Sequence, residues 1–496
     1  MGYRTQLVVR AVLCFCMVAA VTESASGFSE VQNYFLDSGA RALGRGGFAP
    51  IDADPEAVSL DDPLSLRIAS TAKKVRLDTT YEYQRILRVY GGRWQDSHAY
   101  SDALETVAAM PFSLMGDDLK LTAAVGYASN GNDVRAYSKQ GGIDLSTDTT
   151  LDAVRGALLL SYRDHFMAAM TLDGNDYVSG IQIPFEVRIQ PIHELAIGYH
   201  QSYFHFKNDI QVTISGKSGL IPFSYNQLRR ELYAEVNLLE DNLYLHMGID
   251  PGNLDNLYGE GRIGLPYGFY LAGSVTQQGI DGLRQPFTVS NSPGGYIDVR
   301  LNNIQSRVGI GFNINGQWNT EFNYVHSQLD FNGGGIADAR AVVDFWPSLI
   351  VGNYNYLYSG GVSTDQFQLG GTYEGDRWSF QTGLQYIHLE PSFNLDYWRS
   401  VLFGFGRTGA GNVTLTTDSI DMIGLFFGVG YRMGPASFKY ALGQFIPFAS
   451  HENKPETGGG AAPPSGGGKD FFGQIGDKIS HHPGGLIQRL QLTVEF

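Results

Sequence analysis

The chain has 496 residues, of which 43% are hydrophobic, 62 are glycine, 28 are tyrosine and 29 are phenylalanine, and its formal net charge is −15. An acidic chain repels phosphate backbones, which argues against nucleic acid as a partner. Both cysteines, Cys14 and Cys16, lie in the first apolar run, so disulfide frameworks, thiol catalysis and Cys-ligated zinc are excluded from the rest of the chain.

The first segment, residues 1–27, is typical of a secretory signal peptide. It carries Arg4 and Arg10, an apolar run over residues 11–21, and the small residues Ala25 and Gly27. That run is too short for a spanning helix, and no later run approaches the roughly 20 apolar residues that such a helix needs. The segment predicts Sec-type export with cleavage near residue 27.

Residues 28–76 do not alternate between apolar and polar side chains and are rich in glycine and proline. Backbone of this kind makes tight turns and close approaches. If a barrel follows whose lumen is wider than its own side chains can fill, the interior is the natural place for such a segment. The candidate plug residues are Gly39, Arg41, Gly44, Gly46, Gly47, Asp54, Pro55, Asp62 and Pro63.

This segment resembles the N-terminus of the long-chain fatty-acid transporter family of outer-membrane proteins, and of its relative, the outer-membrane shuttle protein of type IX secretion. Residues 39–48, GARALGRGGF, are similar to the family pattern G-A-R-x-x-G-x-G-G-x, and Asp54-Pro55-Glu56-Ala57-Val58 follows at the family spacing. The family's Asn-Pro appears as Asp62-Pro63, displaced by one residue, and the resemblance is confined to this segment. It implies a hatch that plugs a barrel, past which hydrophobic ligands move and leave sideways through the wall.

From residue 77 to residue 496 the chain alternates with a period of two, which predicts antiparallel strands. In the stretch 231–249, for example, apolar residues from Leu232 to Leu238 alternate with polar ones, and the alternation resumes after Glu240-Asp241-Asn242. Eight short turns of this kind are predicted, at 116–118, 163–165, 190–193, 240–242, 266–268, 315–317, 375–377 and 433–435.

Longer, irregular connections separate these hairpins, so short turns gather at one end and long loops at the other. The connections are predicted at about 91–98, 130–151, 206–226, 278–303, 330–363, 391–417 and 448–484, with a short one near 173–176. A soluble sandwich, whose apolar face would meet a second sheet, has no reason to segregate them. An outer-membrane barrel does, since its periplasmic turns are short and its exterior loops long. Eight hairpins with a first and a last strand predict an all-β, antiparallel transmembrane barrel of about 18 strands, within a range of 14–20, which exceeds the roughly 14 strands usual for the resembling family.

The alternation also assigns the two faces of the barrel. Leu232, Val236, Leu243 and Met247 are expected to face lipid. The candidate lumen residues are Asp78, Glu82, Arg229, Glu231, Glu235 and His246. Their mixed charges do not indicate a strongly selective ion pore, which would show charges of one sign.

Two features near the end of the chain complete the prediction. Residues 453–470 include a Gly- and Pro-rich run that cannot pack a core and are expected to form a flexible exterior loop. The final stretch, GLIQRLQLTVEF, has one apolar face that ends in phenylalanine, which is typical of the signal recognised by barrel-assembly machinery. The residues of that signal are Leu490, Leu492, Val494 and Phe496.

Chemistry other than transport finds little support. Asp164-His165 and His481-His482 are isolated candidate pairs, and a hydrolytic site needs a third group close in space. Asp173-Gly174-Asn175-Asp176 could supply oxygen ligands to calcium, but the full calcium loop is absent. The glycines before Lys469 lack the residues of a phosphate loop. We therefore assign no catalytic, cofactor or metal residue and predict that the chain is not an enzyme.

The expected location is the outer membrane of a Gram-negative-type cell. The expected function is passive passage of small hydrophobic or amphipathic molecules. The alternatives are a docking or assembly component of a secretion system and a channel for polysaccharide or small solutes. The expected partners are outer-membrane lipid, barrel-assembly machinery and a small hydrophobic ligand, with the oligomeric state left open.

Overall fold

The computed structural model contains an antiparallel β-barrel and one short helix. It describes residues 43, 45, 57–59, 65–72, 74–89, 97–115, 118–138, 143–163, 165–173, 185–214, 217–239, 242–254, 256–289, 292–314, 316–337, 351–401, 406–416, 419–448 and 485–496. The predicted signal peptide and the predicted loop 453–470 lie outside these residues. Within them, no helix is long and apolar enough to cross a membrane.

The elements follow in chain order. They are α1 (Leu66–Ser70), β1 (Arg76–Val89), β2 (Ser97–Met115), β3 (Leu119–Ser138), β4 (Ile143–Tyr162), β5 (Phe166–Asp173), β6 (Phe185–Ile192), β7 (Leu195–Ile214), β8 (Lys217–Leu238), β9 (Leu243–Ile249), β10 (Leu257–Gly264), β11 (Phe269–Val289), β12 (Ser292–Ile314), β13 (Trp318–Ala337), β14 (Val351–Glu374), β15 (Trp378–Val401), β16 (Gly406–Thr416), β17 (Ile420–Met433), β18 (Ala436–Phe448) and β19 (Leu486–Glu495).

The sheet closes into a ring of 18 strands, which confirms the predicted number. Neighbouring strands pair antiparallel, and β1 pairs with β19 from Arg76–Glu495 to Arg85–Leu486. The lower half of β15 pairs with β17 and its upper half with β16, so β16 lies outside the ring. The start of β1, the end of β19 and the short turns share one end of the barrel, called here the turn end.

Several stretches that the sequence suggests are irregular exterior loops are in fact strands. β14 and β15 each run for 24 residues, and most of the predicted loops 130–151, 206–226, 278–303 and 391–417 is also extended. Above the membrane both faces of a sheet meet polar surroundings, so the alternation fades although the ladder of backbone hydrogen bonds continues. The interpretation of these stretches as loops was wrong for that reason.

The outward face carries an exposed apolar band. Leu232 and Met247 are 48% and 58% exposed there. Trp318, Trp378 and Phe438 lie outward near the turn end, as expected of an interface girdle. In a soluble protein this surface would require a cover, whereas lipid solvates it directly.

Tyrosines mark the other limit of the band. The hydroxyl of Tyr324 donates a hydrogen bond to Asp365 on the next strand at 2.6 Å, and that of Tyr386 donates to Asp421 at 2.7 Å. Tyr127 makes the same bond to Asp152 at 2.8 Å. We call Tyr127, Tyr324 and Tyr386 the tyrosine rim.

The distance between girdle and rim matches a membrane. From Trp378 to Tyr386 along β15, a rise of about 3.3 Å per residue and a tilt of about 40° give about 20 Å, close to the roughly 25 Å apolar band of such barrels. The chain is therefore an integral barrel of the outer-membrane type, and short turns at one end are typical of the periplasmic side of such barrels.

The described residues between 57 and 72 lie inside the barrel. Val58, Leu66 and Ala69 pack against inward apolar side chains of four strands in a buried apolar cluster. The strand residues of that cluster are Val107, Ala109, Ala157, Leu159 and Ala169, with Ala124 and Met167 beside them. Alanines on this wall leave room for α1 to approach the strands closely.

Candidate functional site

Three of the predicted lumen residues meet in one polar cluster. Glu231 and Glu235 lie in β8 and His246 lies in β9, on the face opposite the exposed Leu232 and Met247. His246 Nε2 is 3.2 Å from Glu231 Oε1, and His246 Nδ1 is 3.6 Å from Glu235 Oε1. The histidine thus joins two carboxylates of the neighbouring strand.

An arginine and two aromatic rings extend this cluster. Arg188 of β6 donates to Glu235 Oε2 through Nε at 2.9 Å and through Nη2 at 2.7 Å. The Tyr233 ring stacks on His246 with centroids 5.1 Å apart, and Tyr258 meets the other side of His246 edge-on at 5.2 Å. These contacts fix the histidine ring between two aromatic side chains.

Glu186 ties the cluster to β7. The Tyr233 hydroxyl donates to Glu186 Oε1 at 2.7 Å, and His200 Nδ1 lies 3.1 Å from Glu186 Oε2. We call the whole set the β6–β9 cluster; it comprises Glu186, Arg188, His200, Glu231, Tyr233, Glu235, His246 and Tyr258.

Sequence reasoning missed the β6 members of this cluster, although a signal was present. Glu186 and Arg188 alternate with Val187 and Ile189, which places both polar side chains on one face of a short strand. Arg229 also lies in β8, but its side chain is outside the described part of the structure.

The other two predicted lumen residues lie at the β1–β19 seam. Asp78 is bound by Arg76, whose Nε lies 2.7 Å from Asp78 Oδ2, and Glu82 is bound by Arg489 of β19. Asp78 Oδ2 also accepts a hydrogen bond from the backbone N–H of Val58 at 3.2 Å. One predicted lumen carboxylate therefore contacts the N-terminal segment directly.

All nine predicted plug residues lie outside the described residues, but Leu43 and Arg45 between them are described. Leu43 is fully buried in a cluster with Phe426 of β17, Ala441 of β18 and Ile487 of β19. This part of the segment therefore lies against the inner wall.

Arg45 contacts a second wall through a buried ion cluster. Its Nη2 donates to Asn319 Oδ1 at 2.7 Å and lies 3.7 Å from Glu321 Oε2, and both Arg45 and Glu321 are 0% exposed. Glu321 also binds Arg307 Nη2 at 2.6 Å and accepts the Tyr270 hydroxyl at 2.6 Å. We call Arg45, Tyr270, Arg307 and Glu321 the Glu321 cluster.

The wall itself is interrupted between β8 and β11. The β9–β10 hairpin between them has strands of 7 and 8 residues, fewer than the roughly 9–11 of a spanning strand, and it ends at about the height of the tyrosine rim. Above it, β8 and β11 pair directly at Gly219–Val289 and Leu220–Thr288. Between these pairs and the hairpin, residues 221–231 and 278–287 have no ladder partner on this side in the part of the chain described. We call this the β8–β11 gap.

The lower border of the gap is a turn that satisfies its own backbone. The N–H of Asp250 donates to Asn256 O at 3.0 Å, and the N–H of Gly252 donates to Asp250 Oδ1 at 2.7 Å. Asn256 Oδ1 accepts the N–H of Gly279 in β11 at 2.6 Å, which fastens the hairpin to the side of the gap. Leu254 is 69% exposed at the tip. Such a turn tolerates a poorly hydrated setting.

β4 and β7 repeat this topology. They pair directly from Ile143–Ile214 to Ser146–Gln211, above the β5–β6 hairpin, whose strands have 8 residues each. Residues 174–184, which join β5 to β6, lie outside the described residues, as does most of the acidic stretch considered as a calcium ligand.

The remaining candidates acquire no site around them. His165 is exposed, with Nδ1 3.0 Å from Gln190 O, while its neighbour Asp164 and the pair His481-His482 are not among the described residues. No group of three or more potential metal-ligating side chains occurs within the described ranges. In β19, Leu492 and Phe496 are exposed outward, and the Phe496 N–H donates to Val75 O at 2.8 Å; their role as an assembly signal stays a prediction.

Comparison with known proteins gives no sequence relative. No protein-family model matches the chain, and no curated protein sequence matches it. The solved structures to which it is similar include a CymD monoaromatic hydrocarbon channel, with 10% identity, 93% of this chain and 98% of that chain covered, and a TM-score of 0.38. The Pseudomonas putida toluene transporter TodX has 10% identity, the same coverages and a TM-score of 0.35. A Pseudomonas aeruginosa FadL homologue has 12% identity, 93% and 99% coverage and a TM-score of 0.36. At these values the function has to be argued from the geometry of the chain itself.

Proposed function

We propose that the chain is an outer-membrane channel for the passive passage of small hydrophobic or amphipathic molecules. The observation that carries the proposal is an interrupted wall in a barrel whose inner face also contacts the N-terminal segment. The N-terminal segment contacts the inner wall on β1–β5, on β13 and on β17–β19. The β8–β11 gap lies on a part of the ring away from these contacts.

An unpaired strand edge cannot face the hydrocarbon of a bilayer, because each bare N–H or C=O group there costs several kcal/mol. The β8–β11 gap lies at and above the tyrosine rim, beyond the hydrocarbon, so lipid headgroups, water or cargo can satisfy its edges and the wall can stay open there. The position of the gap at the tyrosine rim directs a passage through it towards the outer leaflet. A molecule that enters from outside can leave sideways there without crossing the segment below.

The β6–β9 cluster lies on the lumen side of the hairpin that borders the gap. Each of its three carboxylates has a hydrogen-bonding or ionic partner within the cluster, so none is left bare for an ion. His246 and Tyr258, which are partly exposed, add aromatic surface with polar edges, and this suits a molecule that has both an apolar body and a polar group. This environment favours an amphipathic cargo over a strongly hydrated one.

The test is to raise the lower border of the gap. Inserting Thr-Val after Ile249 and Val-Thr before Leu257 keeps the alternation and adds about 7 Å of ladder. Entry of the hydrophobic fluorophore N-phenyl-1-naphthylamine is then followed in intact cells, whose lipopolysaccharide otherwise excludes it. We expect cells with the natural chain to take up the fluorophore well above cells that lack the protein. Cells with the extended hairpin should take up about as little as cells that lack the protein. The control places the same four residues around the Gly434-Pro435 turn.

The alternatives give distinct results. Equal entry by the extended hairpin and the natural chain would exclude the lateral route. If liposomes that contain the protein swell in a solution of a small sugar, and the extended hairpin does not change the swelling rate, the protein is a solute channel. No passage of either probe by a folded barrel, together with a protein that co-purifies, would indicate a docking component.

The obstruction is tested separately in planar bilayers. Deleting residues 28–72 should convert a closed barrel into one with steady single-channel current, because α1 and Arg45 no longer contact the wall. Large current from the intact chain would contradict a plugged lumen.

A further inference from the structure

A groove lies on the outward face of the long strands β12–β15, near their upper ends. It has a volume of about 790 Å³, within the range of small-molecule sites. Its outward lining side chains are Tyr296, Asp298, Arg300, Asn332, Asn355, Leu357, Ser359, Asn394, Asp396 and Trp398. Nothing in the proposed transport route involves this surface.

The groove lies above the membrane. Asn332 is eight residues beyond Tyr324 on β13, which corresponds to about 20 Å above the tyrosine rim. Both residues are on the outward face, since exposed side chains alternate along this strand. A ligand would therefore approach from the side of the barrel, just above the outer leaflet, and not from the lumen.

The wall of the groove is held by two tyrosines that cross a run of glycines. Tyr358 of β14 lies across Gly333 and donates to the Asp298 carbonyl of β12 at 2.7 Å, and Tyr356 lies across Gly335 and donates to the Tyr296 carbonyl at 2.9 Å. A Cβ at Gly333 would lie 1.9 Å from Asp298 O and 2.6 Å from the Tyr358 hydroxyl oxygen. Glycine is required for this close approach, which fixes three strands relative to one another.

The flank towards β16 is ordered by amide and carboxylate groups. Asn412 Nδ2 donates to Asn394 Oδ1 at 3.0 Å and to Asp396 Oδ1 at 2.6 Å, and the Thr414 hydroxyl donates to Asn394 Oδ1 at 3.1 Å. This network adds side-chain hydrogen bonds to the backbone ladder that already joins β16 to β15. It also presents several planar polar groups at fixed positions.

The lining has the chemistry that suits hydroxyl groups. Amides and carboxylates offer two polar atoms in one plane, and such forks match pairs of neighbouring hydroxyls. Trp398 and Tyr296 contribute aromatic rings with polar handles, against which the C–H face of a sugar ring can pack. Leu357 is the one aliphatic side chain in the outward lining, so the groove offers little to a lipid tail.

We propose that this groove, called the β12–β15 groove, binds a saccharide. The ligand is a short oligosaccharide that presents neighbouring hydroxyls to Asn332, Asn394 and Asp396 and one ring face to Trp398. Two sources share this chemistry, the headgroup sugars of outer-leaflet glycolipid beside the barrel and a free polysaccharide in the medium.

The test measures binding to the refolded full-length chain in detergent. The probes are delipidated core oligosaccharide from rough lipopolysaccharide and maltoheptaose, each titrated to millimolar concentration by calorimetry. We expect saturable binding of at least one probe. Binding of the core oligosaccharide alone assigns the glycolipid source, and binding of maltoheptaose assigns a free glucan.

Three variants test the position of the ligand. Trp398→Ala and Asp396→Asn should each weaken binding at least about tenfold. Both variants should retain the heat-modifiable gel mobility of a folded barrel. Because D396N keeps the shape of the side chain, it provides the test if W398A does not fold. Trp378→Ala, near the turn end of the same strand, should leave binding unchanged. No saturable binding of either probe, or equal affinities for the natural chain and both groove variants, would overturn the proposal; so would binding that W378A weakens as much as W398A.

Discussion

The two sides of this barrel differ in the length of their strands. On one side β11–β15 run for 20–24 residues and continue far above the tyrosine rim. On the other side β9 and β10 stop after 7 and 8 residues, and so leave the β8–β11 gap. The long wall carries the Glu321 cluster inside and the β12–β15 groove outside, whereas the short wall carries the β6–β9 cluster.

The contrast teaches that membrane thickness does not set an upper limit on strand length. Strands longer than the band build a surface in the exterior, and a hairpin shorter than the strands beside it leaves those strands unpaired above it. Burial follows the same division. Glu321 on the long wall is fully buried, whereas the Glu235 side chain on the short wall is 21% exposed.

The largest expected effect follows from Glu321→Ala. The substitution leaves Arg45 and Arg307 without their shared carboxylate in a fully buried site, a loss of about 3–5 kcal/mol. We expect the N-terminal segment to detach from β13 and single-channel current to appear in planar bilayers. Thr320→Ala, on the outward face of the same strand, should stay closed. A closed E321A barrel of unchanged stability would show that the Glu321 cluster does not hold the segment.

The next effect concerns the long wall above the membrane. Gly333→Ala places a methyl group against the Asp298 carbonyl and should lower the free energy of unfolding by about 2–3 kcal/mol, because backbone has to move. Gly371→Ala is the matched control on β14, since its Cβ would meet no atom closer than 3.7 Å. The measurement is urea unfolding followed by the mobility shift of the folded barrel. Equal midpoints for the two variants would contradict the close approach of the three strands.

A smaller loss is expected from Glu235→Ala on the short wall. Arg188 then loses its closest carboxylate, but lumen water can reach both groups, so the cost falls to about 1–2 kcal/mol. The comparison of unfolding midpoints for E235A and E321A checks the difference between the walls directly. A loss for E235A as large as that for E321A would mean that the lumen beside β8 is as dry as the site of Arg45.

The smallest effect belongs to an exposed ion pair at the turn end. Arg163 Nη2 lies 2.9 Å from Asp118 Oδ2, and its hydrogen bond holds the pKa of Asp118 below the usual value. Because the folded pKa is the lower one, the pair stabilises the barrel above the unfolded pKa and loses this contribution as the pH falls through the folded pKa. Asp118→Asn should shift the unfolding midpoint little at neutral pH and not at all in acid or at high salt. A shift that grows in acid would mean that folding raises the pKa of Asp118 and does not lower it.

The fold was largely accessible from the sequence because a barrel repeats one local rule. Period-two alternation and polar turns each depend on a few neighbouring residues, as in the hairpin of stretch 231–249. The strand number then follows from counting the hairpins along the chain. The upper ends of β3, β4, β7 and β8 were missed because polar surroundings on both faces remove the alternation there.

The site was less accessible because its contacts join distant residues. Arg45 and Asn319 are 274 positions apart, and nothing near Gly44 or Gly46 in the sequence indicates which strand they approach. The β8–β11 gap has no local signal either. It arises because β9 and β10 end early while their neighbours continue, and only the pairing of the four strands reveals it.

The seam between β1 and β19 has a consequence for how the chain folds. Arg76 binds Glu495 across 419 positions of sequence, because the closing ladder joins the first strand of the barrel to the last. Contacts of such separation form slowly, since the entropy of closing the loop is lost before they contribute. Until closure, β1 and β19 are two bare strand edges open to aggregation. Arg489 meets Glu82 across the same seam, so these two opposite charges become partners only when the barrel closes.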